Sequence, residues 1–142
     1  ACAACCLVMV SFSSLCCALE GDKEENVRWL ADKTVDLRIF PDTSGRSELS
    51  LLDRETEHAG EVGVLVVPQF TLAAEWRKGR RPGFDRAAKP GKARELLAQY
   101  CAQLHHRGVV VEIGAFGEDM VVDIQNAGPF TLILDSDVRQ PS

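Results

Sequence analysis

The 142-residue chain lacks the short signatures that mark many enzyme chemistries. It contains no G-x-S-x-G elbow, no H-E-x-x-H pair, no G-x-x-x-x-G-K-[ST] loop and no G-x-G-x-x-G fingerprint. A serine nucleophile on an elbow, a helical zinc pair, a phosphate-cradling loop and a dinucleotide turn therefore have no motif to stand on. Histidine is scarce. His58 lies in a polar stretch, and His105 and His106 crowd the last turn of an expected helix, where positive charge complements the helix dipole. No Ser/His/Asp arrangement can be assembled, and Glu118 and Asp119 are neighbours in a glycine-bounded turn rather than an acid/base pair. Internal repeats and low-complexity linkers are absent. Any chemistry must need little acid/base power.

Cysteine is present but poorly spaced for a metal. Five of the six lie at Cys2, Cys5, Cys6, Cys16 and Cys17, and no histidine precedes His58. A structural zinc site wants two spaced ligand pairs, so no metal and no cofactor is expected. The thiols read as buried or free. The sixth, Cys101, sits alone on an apolar helix face, which fits a reducing compartment and a cytoplasmic protein. The first nineteen residues carry no charge, yet nothing basic precedes them and Ser11, Ser13 and Ser14 interrupt the apolar run. That is a poor spanning helix and a poor signal peptide. Residues 7–12 read instead as a buried strand.

What remains is an ordinary single-domain composition, with 46% hydrophobic and 26% charged residues and a net charge of −5. The charge is uneven. Residues 77–94 carry eight basic side chains against Asp85 alone, a net of +7 on an acidic chain. Such a stretch is either a solvated loop and helix start or the docking place of a polyanion.

Periodicity gives the elements. Asp22 with Glu25 three residues on reads as a capping box opening a helix, with Val27, Leu30, Ala31, Thr34 and Val35 at helical spacing and an end near Leu37. Residues 41–45 form a turn by composition. Residues 49–52 read as a short strand and 54–60 as loop. The β-branched run 62–67 reads as a central strand. Residues 71–84 are a long connection rich in Arg, Lys and Gly, a length that is usually functional. Pro90 opens a second helix with an apolar face of Ala93, Leu96, Leu97, Tyr100, Cys101 and Leu104, ended by Gly108. Residues 109–113, 119–125 and 130–135 complete the strands. The expected fold is α+β, a mixed β-sheet with two main helices packed on it, in one domain over residues 1–142.

The most informative stretch is Asn126-Ala127-Gly128-Pro129-Phe130-Thr131, between the last two expected strands. Proline lacks an N–H and glycine tolerates unusual backbone angles, so the turn can push bare backbone groups into a cleft. A second stretch, Pro68-Gln69-Phe70-Thr71-Leu72, ends the central strand. A site built from backbone suits the hydrolysis of an activated ester: it orients the ester, offers N–H donors to the developing oxyanion and admits water.

These two stretches, with residues 29–33, 37–40, 45–53, 78–84 and 116–120 in the same order, resemble the D-aminoacyl-tRNA deacylase family from about residue 7 to residue 136. The family signatures are S-Q-x-x-L and N-x-G-P-x-T, and the second is complete here. The resemblance implies a homodimeric hydrolase that removes D-amino acids, and misplaced glycine, from tRNA. It implies a cis Gly128-Pro129 bond whose carbonyls reach into the partner's pocket and reject an L side chain. Gln69, Phe70 and Thr71 would hold the ester. Asn126 and Thr131 flank the Gly-Pro pair. Phe116, Gly117 and Met120 would cradle the terminal adenosine, and Arg77, Lys78, Arg80 and Arg81 would meet tRNA phosphates. Aminoacyl-tRNA and a second copy of the chain are the implied partners, with no membrane and no DNA.

Departures from the family pattern open two alternatives. Pro68 replaces the usual serine, Ala73 stands where tyrosine is common, and Trp76 stands where threonine is common. A proline before Gln69 is typical of the animal-type tRNA deacylase, which removes L-alanine from mischarged tRNA. The family's N-terminal strand, with its bracing arginine, is expected to be missing, which would leave a sheet edge open and suit an inactive tRNA-binding remnant.

Overall fold

In the computed structural model the described residues are 12–57, 62–124 and 130–138. The main sheet has three strands, β1 (Phe12–Cys16), β2 (Gly63–Pro68) and β3 (Val110–Ile113), with β2 in the middle. Both pairings are parallel, with Ser14 opposite Val66 and Val66 opposite Ile113. Two helices connect them, α1 (Glu24–Asp36) and α2 (Pro90–His106), and pack on the same core. A separate antiparallel ribbon pairs β4 (Phe40–Pro41) with β5 (Ser47–Leu49), and isolated antiparallel bridges join Leu19 to Ala87 and Glu75 to Gly83. A short helix, α3 (Leu51–Glu57), follows the ribbon. The α+β expectation holds, as does the reading of two main helices on a sheet.

The core explains the arrangement. Val64 and Val66 alternate along β2 and are fully buried, as parallel-sheet strands covered by helices require. Ala31 and Val35 of α1 and Leu96, Leu97 and Leu104 of α2 join them in one cluster. One polar chain crosses this core. The Tyr100 hydroxyl lies 2.9 Å from Thr34 Oγ1 and 3.4 Å from Ser14 Oγ, and Ser14 Oγ lies 3.1 Å from the Cys16 thiol. Thr34 also donates to the Leu30 carbonyl at 2.9 Å. Each buried hydroxyl is thus satisfied, which is the condition for tolerating it there.

Burial has a measurable consequence. It raises the Cys16 thiol from 9.0 to about 11 and the Tyr100 phenol from 10.0 to about 12. The folded state therefore favours the protonated forms. Their contribution is fully present below pH 9 and is lost as the pH climbs toward 11. We expect stability in urea to fall by about 1–2 kcal/mol between pH 9 and 10.5, discounted for the part-exposed thiol. Cys16→Ala should remove only part of that slope, because burial raises Cys17 and Cys101 in the same direction. A flat profile in the parent protein would contradict the buried chain.

Several local expectations are corrected. The first described strand is Phe12–Cys16, which runs past the expected end at residue 12; residues 7–11 fall outside the described residues. Lys23 is the N-cap of α1, not Asp22. Asn26 Oδ1 accepts the Lys23 N–H at 3.1 Å, while Asp22 Oδ2 turns back to the Leu19 N–H at 2.7 Å. Residues 51–57 are helical rather than strand and loop. Ser50 and Asp53 form a reciprocal cap there, Ser50 N–H to Asp53 Oδ2 at 2.8 Å and Asp53 N–H to Ser50 Oγ at 3.2 Å.

The largest correction concerns the last two expected strands. Residues 119–124 and 130–135 form no ladder with any described residue. Val121 and Ile133 are more than 90% exposed. Alternation groups side chains by face, but a strand also needs a neighbour that pairs with it, and among the described residues the main sheet ends at β3. No described helix is long and apolar enough to cross a membrane.

Candidate active site

Of the expected site residues, Gln69, Phe70 and Thr71 follow the carboxyl end of β2 and Phe116, Gly117 and Met120 follow that of β3, the ends at which open parallel sheets bind ligands. Pro68 ends β2, and the next N–H, that of Gln69, donates to the Cys16 carbonyl at 2.7 Å. The chain then tightens into a 3-10 turn, Phe70–Ala73, anchored by buried Ala73. The first N–H groups of such a turn have no carbonyl behind them to bond. Among the described residues, the N–H groups of Phe70 and Thr71 donate to no backbone carbonyl. Gln69 Nε2 donates to Thr71 Oγ1, tying the two side chains together. The Cys17 thiol donates to the Phe70 carbonyl at 3.6 Å and fixes the turn from below.

The second half of the site follows β3. The Gly114 N–H extends the parallel ladder by donating to the Val66 carbonyl at 2.8 Å. Space at Gly114 is tight, and the nearest neighbour is the movable end of a methionine side chain. A Cβ there would stand 3.1 Å from Met120 Sδ and 3.5 Å from Pro68 Cδ. Met120 and Pro68 thus both lie beside this glycine, and the turn carrying Phe116, Gly117 and Met120 stands next to the end of β2. Gly117 has φ +83°, a conformation that glycine adopts without strain. Phe116 is half-buried against the core, and the Arg94 guanidinium lies 4.5 Å from its ring centroid, a stacked cation that steadies the ring.

The basic connection is more ordered than its composition suggests. Glu75 and Gly83 exchange two backbone hydrogen bonds, of 2.8 and 2.9 Å, which close a loop over residues 76–82. Phe84, just past its base, meets the Phe70 ring edge-on at 5.1 Å. The loop is thereby joined to the 69–71 turn. Arg77, Lys78, Arg80 and Arg81 are exposed, and none is ion-paired with a described residue. Thr131 is exposed on the unpaired segment after residue 129. Asn126, Gly128 and Pro129, with the expected cis bond, lie outside the described residues, as does His58. His105 and His106 are exposed at the end of α2. Two open hollows, of about 300 and 400 Å³, lie elsewhere, lined by Leu19, Asp22 and Arg86 and by Pro41, Leu49 and Arg54.

Sequence reasoning missed Cys17 and Gly114, and it placed Phe84 in a family segment and Arg94 in the basic stretch without their ring contacts. Cys17, Phe84, Arg94 and Gly114 act through contacts across 6 to 53 positions of chain, and of the two missed only Gly114 carried a local signal, a glycine directly after an apolar run.

The chain as a whole has relatives of known family. A family model described as D-Tyr-tRNA(Tyr) deacylase matches residues 8–135. The D-aminoacyl-tRNA deacylase of Bacillus velezensis is 50% identical over 115 residues, covering 81% of this chain and 74% of that protein. That of Geotalea daltonii is 43% identical over 122 residues, covering 86% and 77%. A Bacillus subtilis protein named an inactive D-aminoacyl-tRNA deacylase is 46% identical over 115 residues, covering 81% and 83%. Among solved structures, the c-Myc DNA unwinding element binding protein superposes with a TM-score of 0.72 at 30% identity, over 83% of this chain and 76% of that one. A probable eukaryotic D-amino acid tRNA deacylase superposes at 0.65 and 18% identity, a likeness of fold, over 81% and 78%. With nearly its whole length matched by the family model and half its aligned residues shared with a relative, the chain belongs to the D-Tyr-tRNA(Tyr) deacylase family.

Proposed function

We propose that the chain is a homodimeric hydrolase that cleaves the ester of D-aminoacyl-tRNA and glycyl-tRNA and spares L-aminoacyl-tRNA. The observation that carries the reading is the placement of Pro68 and Met120 beside Gly114, which sets the ester-holding turn next to the adenosine-cradling turn. The terminal adenosine rests on Phe116, Gly117 and Met120. The ester carbonyl lies against the Phe70 and Thr71 N–H groups. Water attacks the carbonyl carbon, the oxyanion takes hydrogen bonds from those donors, and the bond to the ribose oxygen breaks. The departing oxygen takes up a proton, a step that the neighbouring ribose hydroxyl can share. No strong protein base is needed because the ester is already activated. Gly128 and Pro129 of one protomer fill the space that an L side chain would occupy in its partner.

A second reading has an observation of its own. Pro68 packs on Gly114 where the family signature has serine, and it fits an enzyme for L-alanyl-tRNA. One assay separates these readings. Purified protein is incubated with D-tyrosyl-, glycyl- and L-alanyl-tRNA, and ester loss is followed against the spontaneous rate. Turnover of the first two supports the main reading, turnover of the third alone supports the second, and none at all fits the inactive relative. In the main reading, Pro129→Ala keeps the protein folded and lets L-tyrosyl-tRNA be cleaved. A variant still blind to L substrates would dispose of rejection by the Gly-Pro backbone.

A further inference from the structure

Trp76 is the most conspicuous side chain that the reaction leaves unused. The residue is 70% exposed. An indole left in water forgoes the burial that usually stabilises it, so an exposed one on a built element points to a ligand. The element is built. Trp76 directly follows the Glu75 end of the two-bond bridge with Gly83, and the Arg86–Glu75 pair at 3.2 Å braces that base from outside. Gly79 turns the tip with φ +77°. The same loop carries Arg77, Lys78, Arg80 and Arg81, all exposed, and the Arg77 guanidinium lies 5.9 Å from the indole centroid. None of the four is neutralised by a described acidic residue. One aromatic face among free cations is the chemistry of single-stranded nucleic-acid binding, in which charge follows the backbone and a π-face takes a base.

We infer that Trp76 is a stacking platform for an unpaired base of an RNA strand whose phosphates are held by the surrounding cations. The inference deepens the deacylase reading, which supplies the single-stranded 3′ end as occupant. It adds a contact that the 69–71 and 116–120 turns do not make. A protein partner with an acidic surface would use the cations but not the ring.

The probe is an unacylated, dye-labelled RNA oligonucleotide ending in CCA, read by anisotropy and by tryptophan quenching. Trp76→Ala is expected to weaken binding about 5- to 150-fold with the salt dependence unchanged. Trp76→Phe should keep most of the affinity and lose the quenching, since only Trp29 then emits. Lys78→Ala and Arg80→Ala should instead flatten the salt slope by about 0.7 each. Equal affinity in Trp76→Ala would overturn the platform. So would equal quenching by polyglutamate, or by an oligonucleotide whose 3′ positions are abasic. Because the probe carries no ester, a protein that hydrolyses nothing leaves this readout intact, and the two failures remain distinct.

Discussion

Phe70→Pro is expected to lower turnover of D-tyrosyl-tRNA by about 10²–10³-fold relative to Phe70→Ala, with both variants folded. The comparison isolates one N–H. Proline lacks that donor and alanine keeps it, while both lose the ring that meets Phe84. The position accepts proline. It is the first residue of the 3-10 turn, where the N–H has no backbone partner among the described residues, and Gln69 before it, at φ −145° and ψ 81°, is outside the α region that a following proline disfavours. No backbone hydrogen bond of the fold is therefore given up. Losing one donor to a developing oxyanion typically costs 10²–10³ in kcat. Single-turnover deacylation at saturating enzyme, with circular dichroism to verify folding, makes the comparison. Equal losses in the two variants would mean that the ring, not the N–H, serves the reaction.

The legibility of the chain follows the range of its contacts. The helix at Pro90–His106 was readable because six apolar residues repeat at helical spacing between a proline and a glycine. The central strand was readable because four of its six residues are Val or Leu and it is covered by helices. Leu51–Glu57 escaped because seven residues give fewer than two full turns of pattern, although Ser50 and Asp53 already spelled its cap. Asp22 misled because a carboxylate near a helix start can bond backwards as well as forwards, and here it bonds Leu19.

Met120, Val122 and Ile124 fall on one face of an expected strand, yet such a pattern carries no information about a neighbour. The site shows the same limit. Gln69 and Phe116 each sit in turns that the resemblance singled out. What joins them is the parallel register of β2 with β3, with Gly114 beside Pro68 and Met120. That register depends on a helical crossover, and no local window of sequence encodes it.

Leu104→Ala is expected to be the most damaging single truncation of the fold, at about 2–5 kcal/mol, or roughly 8–20 °C in Tm. Leu104 has no exposed surface and lies in the cluster that unites both helices with β2. Its neighbours cannot easily close on the void. The carbonyl of Leu104 accepts from the Arg107 N–H at 3.1 Å and from the Val109 N–H at 3.3 Å, which pins the helix end. Arg107 in turn is bonded to Asp32 and, at 2.7 Å, to Asp36, which clamps α2 to α1. A wall held on both sides relaxes little, so the cavity cost adds to the lost transfer free energy. Leu15→Ala is the control, since Leu15 is 49% exposed and its truncation should cost well under half as much. The damage should also reach the site, because β3 leaves α2 through Gly108 and carries the 114–120 turn at its end. Thermal unfolding of both variants decides the matter: comparable losses would mean that α2 is not docked on the sheet as described, and the convergence of the two turns would lose its support.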